Sequence, residues 1–430
     1  MTALRVGVAG LGTVGAGVVR LLADNAGLIA ARAGRPIEVV AVSARDRGRA
    51  RGIGLDAMAW HDDAAELARD PRIDVLVEVI GGSDGKAREA VEAALSRGLP
   101  VVTANKALLA IHGSELAATA EAMGGGLRFE AAVAGGIPAI KALREGLAAN
   151  RFTRIAGILN GTCNYILSTM RSTGRPFAEV LAEAQAAGYA EADPRFDIDG
   201  IDTAHKLALL AAIAFGRAPD FDGIHVEGIR GVAAADVAFA DQLGFRIKLL
   251  GIARDTAQGI EARVHPCMIR EASSLARVDG VLNAVVAEGD AVGRITMSGR
   301  GAGAGPTASA VVADLIDLAR GRSTPVFGVS GTMLGGRASA PIEGHVGPYY
   351  LRLSVLDRPG VIAEVAGVLR DHAISLESLL QRGRNDGESV PVVLTTHATE
   401  ERSMTAALSR IAGLPSVVAP PALIRIEPIE

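Results

Sequence analysis

Glu191 stands in a Gly-, Pro- and Asp-rich loop, and Asp202 and Lys206 follow it one helical turn apart, in the stretch AEAQAAGYAEADPRFDIDGIDTAHKLALLA. An acid four residues ahead of a lysine places both side chains on one face of a helix. Two carboxylates and an ammonium can hold an amino acid, so the region from Gly157 to Ala211 is read as binding a small charged substrate. Taken alone, the Asp202/Lys206 pair reads as an ordinary ion pair on an exposed helix. What shifts the reading is a glycine signature far upstream.

That signature is Gly10-Leu-Gly12-Thr13-Val14-Gly15, which directly follows the apolar run LRVGVA and opens a helical pattern through Val18, Val19, Leu21 and Leu22. Strand, glycine turn and helix together are the setting of a dinucleotide loop. Gly10 permits the tight turn, Gly12 admits the pyrophosphate to the backbone, and Gly15 lets helix and strand pack closely. The second strand, VVAVS, ends without the acid that would grip a ribose 2′-hydroxyl. Glu38 lies at its start, whereas Arg45, Arg47, Arg49 and Arg51 follow its end. NADP is therefore expected to be preferred, with Arg45 as the 2′-phosphate contact and NAD as a second cofactor. For the last two arginines, a solvated basic helix start is an equal reading.

The remaining composition bounds the rest. A chain of 430 residues suggests about three domains. Hydrophobic residues make up 49% and aromatic ones 3%, so the cores are built from Ala, Val, Leu and Ile. A net charge of −4 without a basic stripe argues against nucleic acid as a partner. No run is apolar for long enough to serve as a signal or membrane helix, and Cys163 and Cys267 form no CxxC pair, which fits a reducing cytoplasm. His265-Pro-Cys267 offers two metal donors, fewer than a closed site needs.

Apolar runs at Ile37–Val42, Val75–Ile80, Pro100–Thr103 and Leu127–Glu130 alternate with helical stretches, which predicts a parallel, doubly wound α/β sheet. Residues 1–134 are read as this Rossmann-like nucleotide domain, joined by a return helix at 306–320. Residues 135–320 form an α+β substrate and dimerisation domain with strands near Arg154–Leu159, Gly244–Ile252 and Ile260–Ile269. A Gly/Ser/Pro-rich linker is expected at 321–348. Residues 349–430 read βαββαβ, a ferredoxin-like module that begins with YYLRLSVL and the turn Asp357-Arg358-Pro359-Gly360.

Taken in order, GLGTVG, TANKALLA, FEAAVAGGIP, GILNGTCNYIL, GYAEADPRFDIDGIDTAHKLA and RGAGAGPTASAVVADL resemble the homoserine dehydrogenase family, in its monofunctional form with a C-terminal ACT domain. The resemblance covers nearly the whole chain. It implies reversible, NAD(P)-dependent reduction of L-aspartate 4-semialdehyde to L-homoserine, on the route to threonine, methionine and isoleucine. Hydride added to an aldehyde creates an alkoxide that needs a cation or proton donor. Lys106, at the ligand-binding edge of the nucleotide sheet, and Lys206 both qualify, and the resemblance gives Lys206 the usual donor's position.

The resemblance also implies that Glu191 and Asp202 bind the substrate's amino group and hydroxyl. Asn160, Gly161 and Thr162 receive its carboxylate, with plain N-capping by Thr162 as the alternative. Gly81, Gly82, Thr103 and Asn105 line the nicotinamide, and Gly303 touches the cofactor. FEAAVAGGIP resembles a sodium-binding loop that uses Glu130 and the carbonyls of Val133, Gly135 and Ile137. Cys163 stands where threonine is common, a small-for-small exchange. The ACT module implies L-threonine as effector and a homodimer or homotetramer; alternatively it only dimerises the chain. Two rival functions are a silent NADP-binding sensor and a dehydrogenase of another small amino acid.

Overall fold

The computed structural model describes residues 2–335, 337–381 and 388–429. The first apolar runs become parallel strands β1 (Leu4–Ala9), β2 (Ile37–Ser43), β3 (Ala59–His61), β4 (Val75–Glu78), β5 (Val101–Thr103) and β6 (Leu127–Arg128), in the order β3-β2-β1-β4-β5-β6. Val6, Val8, Val75, Val77 and Val102 are fully buried, as expected of a parallel sheet covered by helices on both faces. Because β1 lies between β2 and β4, the strand order reverses beyond its C-terminal end. That switch point is where such sheets bind ligands.

Two details differ from the sequence reading. The edge strand β3 is only three residues long and carries no alternation to betray it. The strand expected over Leu127–Glu130 stops at Arg128, because Glu130 opens a short 3-10 turn, Glu130–Ala132. The return helix spans Ala304–Ala319, and its Ala308, Val311, Val312 and Leu315 share a core with Val8, Val18 and Val19.

The second domain contributes β7 (Phe152–Ile158), β8 (His225–Val226), β9 (Phe245–Thr256), β10 (Gly259–Arg270), β11 (Leu282–Gly289) and β12 (Gly293–Arg300). Five of them form antiparallel ladders in the order β12-β11-β7-β9-β10, and β8 adds to β10 in parallel. The β11/β12 hairpin was not expected, since LNAVVAEG is a short apolar run that reads equally as helix. Helix Ile201–Phe215 packs against the sheet and is buried on nearly every side.

The described residues of 321–348, a segment expected as a linker, are instead fastened along the molecule. Val326 and Phe327 are buried, and Phe327 stacks 5.5 Å from Phe129 of the nucleotide domain. Further on, β13 (Ser339–Ala340) pairs with β10. Next come β14 (Val346–Gly347), β15 (Tyr349–Leu356), helix Val361–Asp371, β16 (Leu376–Gln381), β17 (Ser389–Thr396), β18 (Thr399–Glu400), helix Glu401–Ala412 and β19 (Val417–Glu427). The order β19-β15-β17-β16 is the expected βαββαβ module, with its own core of Leu351, Leu353, Val365, Leu369, Met404 and Ile411. Its last residues, Arg425–Glu427, pair with Cys267–Ile269 of β10, so one sheet runs through both domains. Among the described residues, no single helix is long and apolar enough to cross a membrane.

Candidate active site

At the end of β1, Gly10 adopts φ +100°, and a Cβ there would lie 2.7 Å from the Val79 carbonyl oxygen. A Cβ on Gly15 would sit 1.9 Å from the Gly10 oxygen, so only glycine lets the helix Thr13–Asp24 start this close to the strand. Gly12 faces open space. The first turn of this helix, whose N–H groups have no partner within the helix, therefore starts at the switch point, where a helix N-terminus can receive a pyrophosphate. A neighbouring cleft of about 390 Å³ is lined by Gly10, Gly12, Arg45, Arg49, Arg51 and Lys86, among others. Arg45 lies there as expected. Arg51 is spent differently, donating to the Leu11, Arg49 and Asp46 carbonyls.

Sequence reasoning missed Glu78. Fully buried at the end of β4, its carboxylate accepts from the N–H groups of Ile80 (2.8 Å) and Gly81 (3.1 Å) and from the Thr103 hydroxyl (2.5 Å). Thr103 Oγ1 in turn accepts from the Asn105 N–H, and the Asn105 amide donates to the Gly82 carbonyl at 2.7 Å. Asn105 Oδ1 also caps helix Lys106–Ala122 through the Leu108 N–H. One network therefore shapes the Gly81-Gly82 turn, where φ is +92° and +90°, and fixes the helix end that carries Lys106. Its signal in the sequence is an acid at the end of an otherwise apolar strand.

The larger cleft, about 730 Å³, lies between the domains. Thr13, Val14, Lys106 and Gly303 line it from the nucleotide side and Asn160, Gly161, Thr162, Asp197, Asp202 and Lys206 from the other. Asp202 is its electrostatic centre. Its Oδ2 accepts from Lys206 Nζ at 2.7 Å and from the Asn160 amide at 2.8 Å, while its Oδ1 lies 3.1 Å from Lys106 Nζ. Lys206 Nζ also donates to the Leu159 carbonyl at 2.6 Å. The helical i,i+4 pair is thus a buried bridge, not a surface one.

Burial alone would raise the Asp202 carboxyl, but the charges of Lys206 and Lys106 outweigh it and hold the group well below the ordinary range. Burial, with Lys106 nearby, draws Lys206 below its usual 10.5 against the pull of Asp202. A lysine poised this way exchanges protons more readily than one in water. Beside it, burial and Lys106 bring His205 down to about 4, and its ring makes tilted contacts with Phe196 and Phe221. Lys106 sits over the Phe196 ring at 5.5 Å.

Asn160 is the N-cap of helix Gly161–Thr173, its Oδ1 accepting from the Cys163 N–H at 2.8 Å. The alternative of capping by Thr162 is therefore replaced: the Thr162 hydroxyl donates to the Tyr189 carbonyl at 2.7 Å. The Asn160 amide is divided between Asp202 and Asp197, the latter at 2.8 Å. Asp197 went unnoticed in the sequence because Gly200, at φ +88°, breaks the helical register between it and Asp202. Burial, helped by Asp202, raises its carboxyl.

Glu191 is not brought into this cleft. Its side chain is exposed, and its carbonyl accepts from the Gln185 amide at 3.0 Å. The neighbouring Gly188 and Tyr189 line the cleft in its place.

Glu130 is buried, its carboxylate accepting from the Ile140 and Lys141 N–H groups at 3.0 and 2.8 Å. Burial, with Asp314 close by, pushes it up to about 7. Asp314 Oδ1 is itself buried without a hydrogen-bond partner. Ala134 and Gly135, at φ 55° and 49°, turn the Val133–Ile137 backbone sharply beside them. Lys141 Nζ lies 3.4 Å from Asp314 Oδ1 and offsets its charge, while Glu130 and the tight carbonyl-bearing loop offer the oxygen donors that a hard cation takes. By contrast, His265 and Cys267 gain a third donor in Glu427, but Arg263 already donates to His265 (3.0 Å) and Glu427 (2.6 Å). A guanidinium fills the place a metal would need.

A dinucleotide loop, a lysine on each wall of an interdomain cleft and a carboxylate held between them define a nicotinamide-dependent oxidoreductase of a small, charged substrate. The model of the family "Homoserine dehydrogenase" matches residues 138–316, that of "Homoserine dehydrogenase, NAD binding domain" residues 10–130, and that of the "ACT domain" residues 349–415. The chain is 48% identical over 434 residues to a homoserine dehydrogenase of Pseudomonas aeruginosa, with 99% of each covered. It is similar to the crystal structure of a homoserine dehydrogenase from Thiobacillus denitrificans, with a TM-score of 0.95 and 46% identity over 100% of this chain and 99% of that one. A hyperthermophilic archaeal homoserine dehydrogenase in complex with NADPH matches with a TM-score of 0.65 and 27% identity, over 75% of this chain and 100% of that one. The chain belongs to the homoserine dehydrogenase family and is an NAD(P)-dependent oxidoreductase with that activity.

Proposed function

We propose that the interdomain cleft oxidises L-homoserine to L-aspartate 4-semialdehyde, and reduces it back, with NADP as the preferred cofactor. The observation that carries this reading is Asp202 held between Lys206 at 2.7 Å and Lys106 at 3.1 Å, one lysine from each domain. When bound, the cofactor supplies or accepts the hydride. Gly10, Gly12, Thr13, Val14 and Gly15 would hold its pyrophosphate, Gly81, Gly82, Thr103, Asn105 and Lys106 would line its nicotinamide, Gly303 would touch it, and Arg45 would receive the 2′-phosphate.

In oxidation, Lys206 takes the hydroxyl proton as the hydride leaves; in reduction, it returns that proton to the alkoxide, with Lys106 steadying the negative charge. Asp202 orients both ammonium groups and the substrate hydroxyl. The substrate's amino group faces Asp197, the acid of the 187–202 region that lines the cleft beside Asp202. The free N–H groups of Gly161 and Thr162, at a helix start fixed by the Asn160 cap, receive the carboxylate. Glu130 and the carbonyls of Val133, Gly135 and Ile137 would hold a sodium ion, with a structural role. The C-terminal module binds L-threonine as an effector of a homodimer or homotetramer.

Purified protein assayed for homoserine oxidation with NADP and NAD in parallel tests the reading. Turnover faster with NADP supports it. Tight NADP binding without turnover on homoserine would favour the sensor or another substrate. Threonine titration, without inhibition or binding at millimolar levels, would remove the effector.

A further inference from the structure

The loop that carries Asp197 and leads into Asp202 is braced from outside by residues His225–Arg230. The Ile229 N–H donates to the Ile198 carbonyl at 2.8 Å, and Arg230 pairs with Asp199. Gly228 fits so closely that a Cβ on it would lie 2.2 Å from the Ile198 oxygen and 2.5 Å from Asp199 Cα. On its other side this brace is stitched to β10, with the Glu227 N–H donating to the Val264 carbonyl at 2.7 Å.

The Glu227 carboxylate faces the C-terminal module. Arg425 of β19 grips it with two nitrogens, at 3.0 and 2.9 Å, and His225 lies 2.7 Å from the same group. Arg425 is nearly fully buried, and its remaining donors go to Glu401, the first residue of helix Glu401–Ala412, at 2.9 and 2.6 Å. One guanidinium is therefore shared by an acid at the start of a C-terminal helix and an acid within the substrate loop's brace. A planar fork that satisfies two carboxylates transmits displacement of one to the other, which a point-charge lysine does not.

We infer that Glu227 and Arg425 are positioning residues for homoserine binding: a clamp through which the C-terminal module sets the place of the loop bearing Asp197 and Asp202. The inference rests on the reading of that loop as the homoserine site. Its chain of contacts is short, from Glu401 through Arg425 and Glu227 to Gly228 and Ile198, and it leaves the nucleotide loop untouched.

The test is steady-state kinetics and calorimetric homoserine binding for full-length E227Q, R425K, G228A and, as reference, D202N. In E227Q and R425K, the homoserine KM rises about five- to ten-fold, the part of a charged hydrogen bond's contribution that reaches the loop, while the NADP KM stays within about two-fold. G228A, which pushes on Ile198 without touching the ion pair, shifts homoserine binding in the same sense. If the charge variants do not fold, E227D, which keeps the charge but shortens its reach to Arg425, decides the matter by the same two KM values. Unchanged homoserine KM in the folded variants, or homoserine and NADP KM rising together, overturns the clamp. D202N with normal homoserine binding overturns instead the reading of the site itself.

Discussion

Asp202 shows why a spacing rule is both informative and incomplete. The sequence placed it on one helix face with Lys206, but it could not show that this face is buried, nor that Lys106 arrives from another domain to share the carboxylate. Asn160, read only as part of a carboxylate-binding turn, is the group that ties Asp202 to Asp197. Glu191, by contrast, was read as a site residue and lies exposed. Replacing a buried, paired charge strands its partners, so D202N should raise the homoserine KM and lower turnover together, by roughly ten-fold or more in kcat/KM. Initial rates over a homoserine series measure both. The lowered lysine gives a second expectation. A neutral Lys206 must accept the hydroxyl proton, and its folded value lies below 10.5. Oxidation should therefore climb with rising pH and level off before an ordinary lysine would titrate. The same rising limb in the residual activity of K206A would assign it to another group.

At the scale of elements, the glycine loop was legible because its purpose is steric. Gly10 and Gly15 are needed where strand, turn and helix nearly touch, and such positions tolerate nothing else. The β11/β12 hairpin was not, since its short Ala- and Val-rich run fits either periodicity and takes its identity from β7 beside it. The arginine cluster after β2 was half legible. Arg45 reaches the cleft beside the loop, while Arg51 is consumed by three carbonyls and cannot serve as freely. R45A should accordingly lower kcat/KM for NADP by about ten- to a hundred-fold, the contribution of a charge-assisted phosphate contact, with NAD little affected. Equal losses with both cofactors would place the arginine outside 2′-phosphate recognition.

In the whole molecule, the sequence read three modules and a linker, yet the structure joins them more tightly. The described residues of 321–348 are strapped across the first two domains, and β19 extends the substrate-domain sheet. Tyr350, Val393, Ile424 and Ile426 of the C-terminal module belong to the same core as Leu207 and Val264. A pattern of strands and helices along the chain carries no record of which sheet edges meet, so this continuity was invisible. Removing residues 349–430 should thus lower Tm by roughly 10 °C or more, at a few degrees per kcal/mol, or leave the protein insoluble; a truncated chain melting with the full one would make the module a mere appendage. The central claim, however, is that one lysine from each domain converges on Asp202 to move a proton during hydride transfer. Homoserine oxidation by K206A and K106A, each with NADP binding checked separately, tests it most directly. Turnover should fall about 10²- to 10⁴-fold with NADP affinity kept in K206A; near-normal turnover in either folded variant would contradict it.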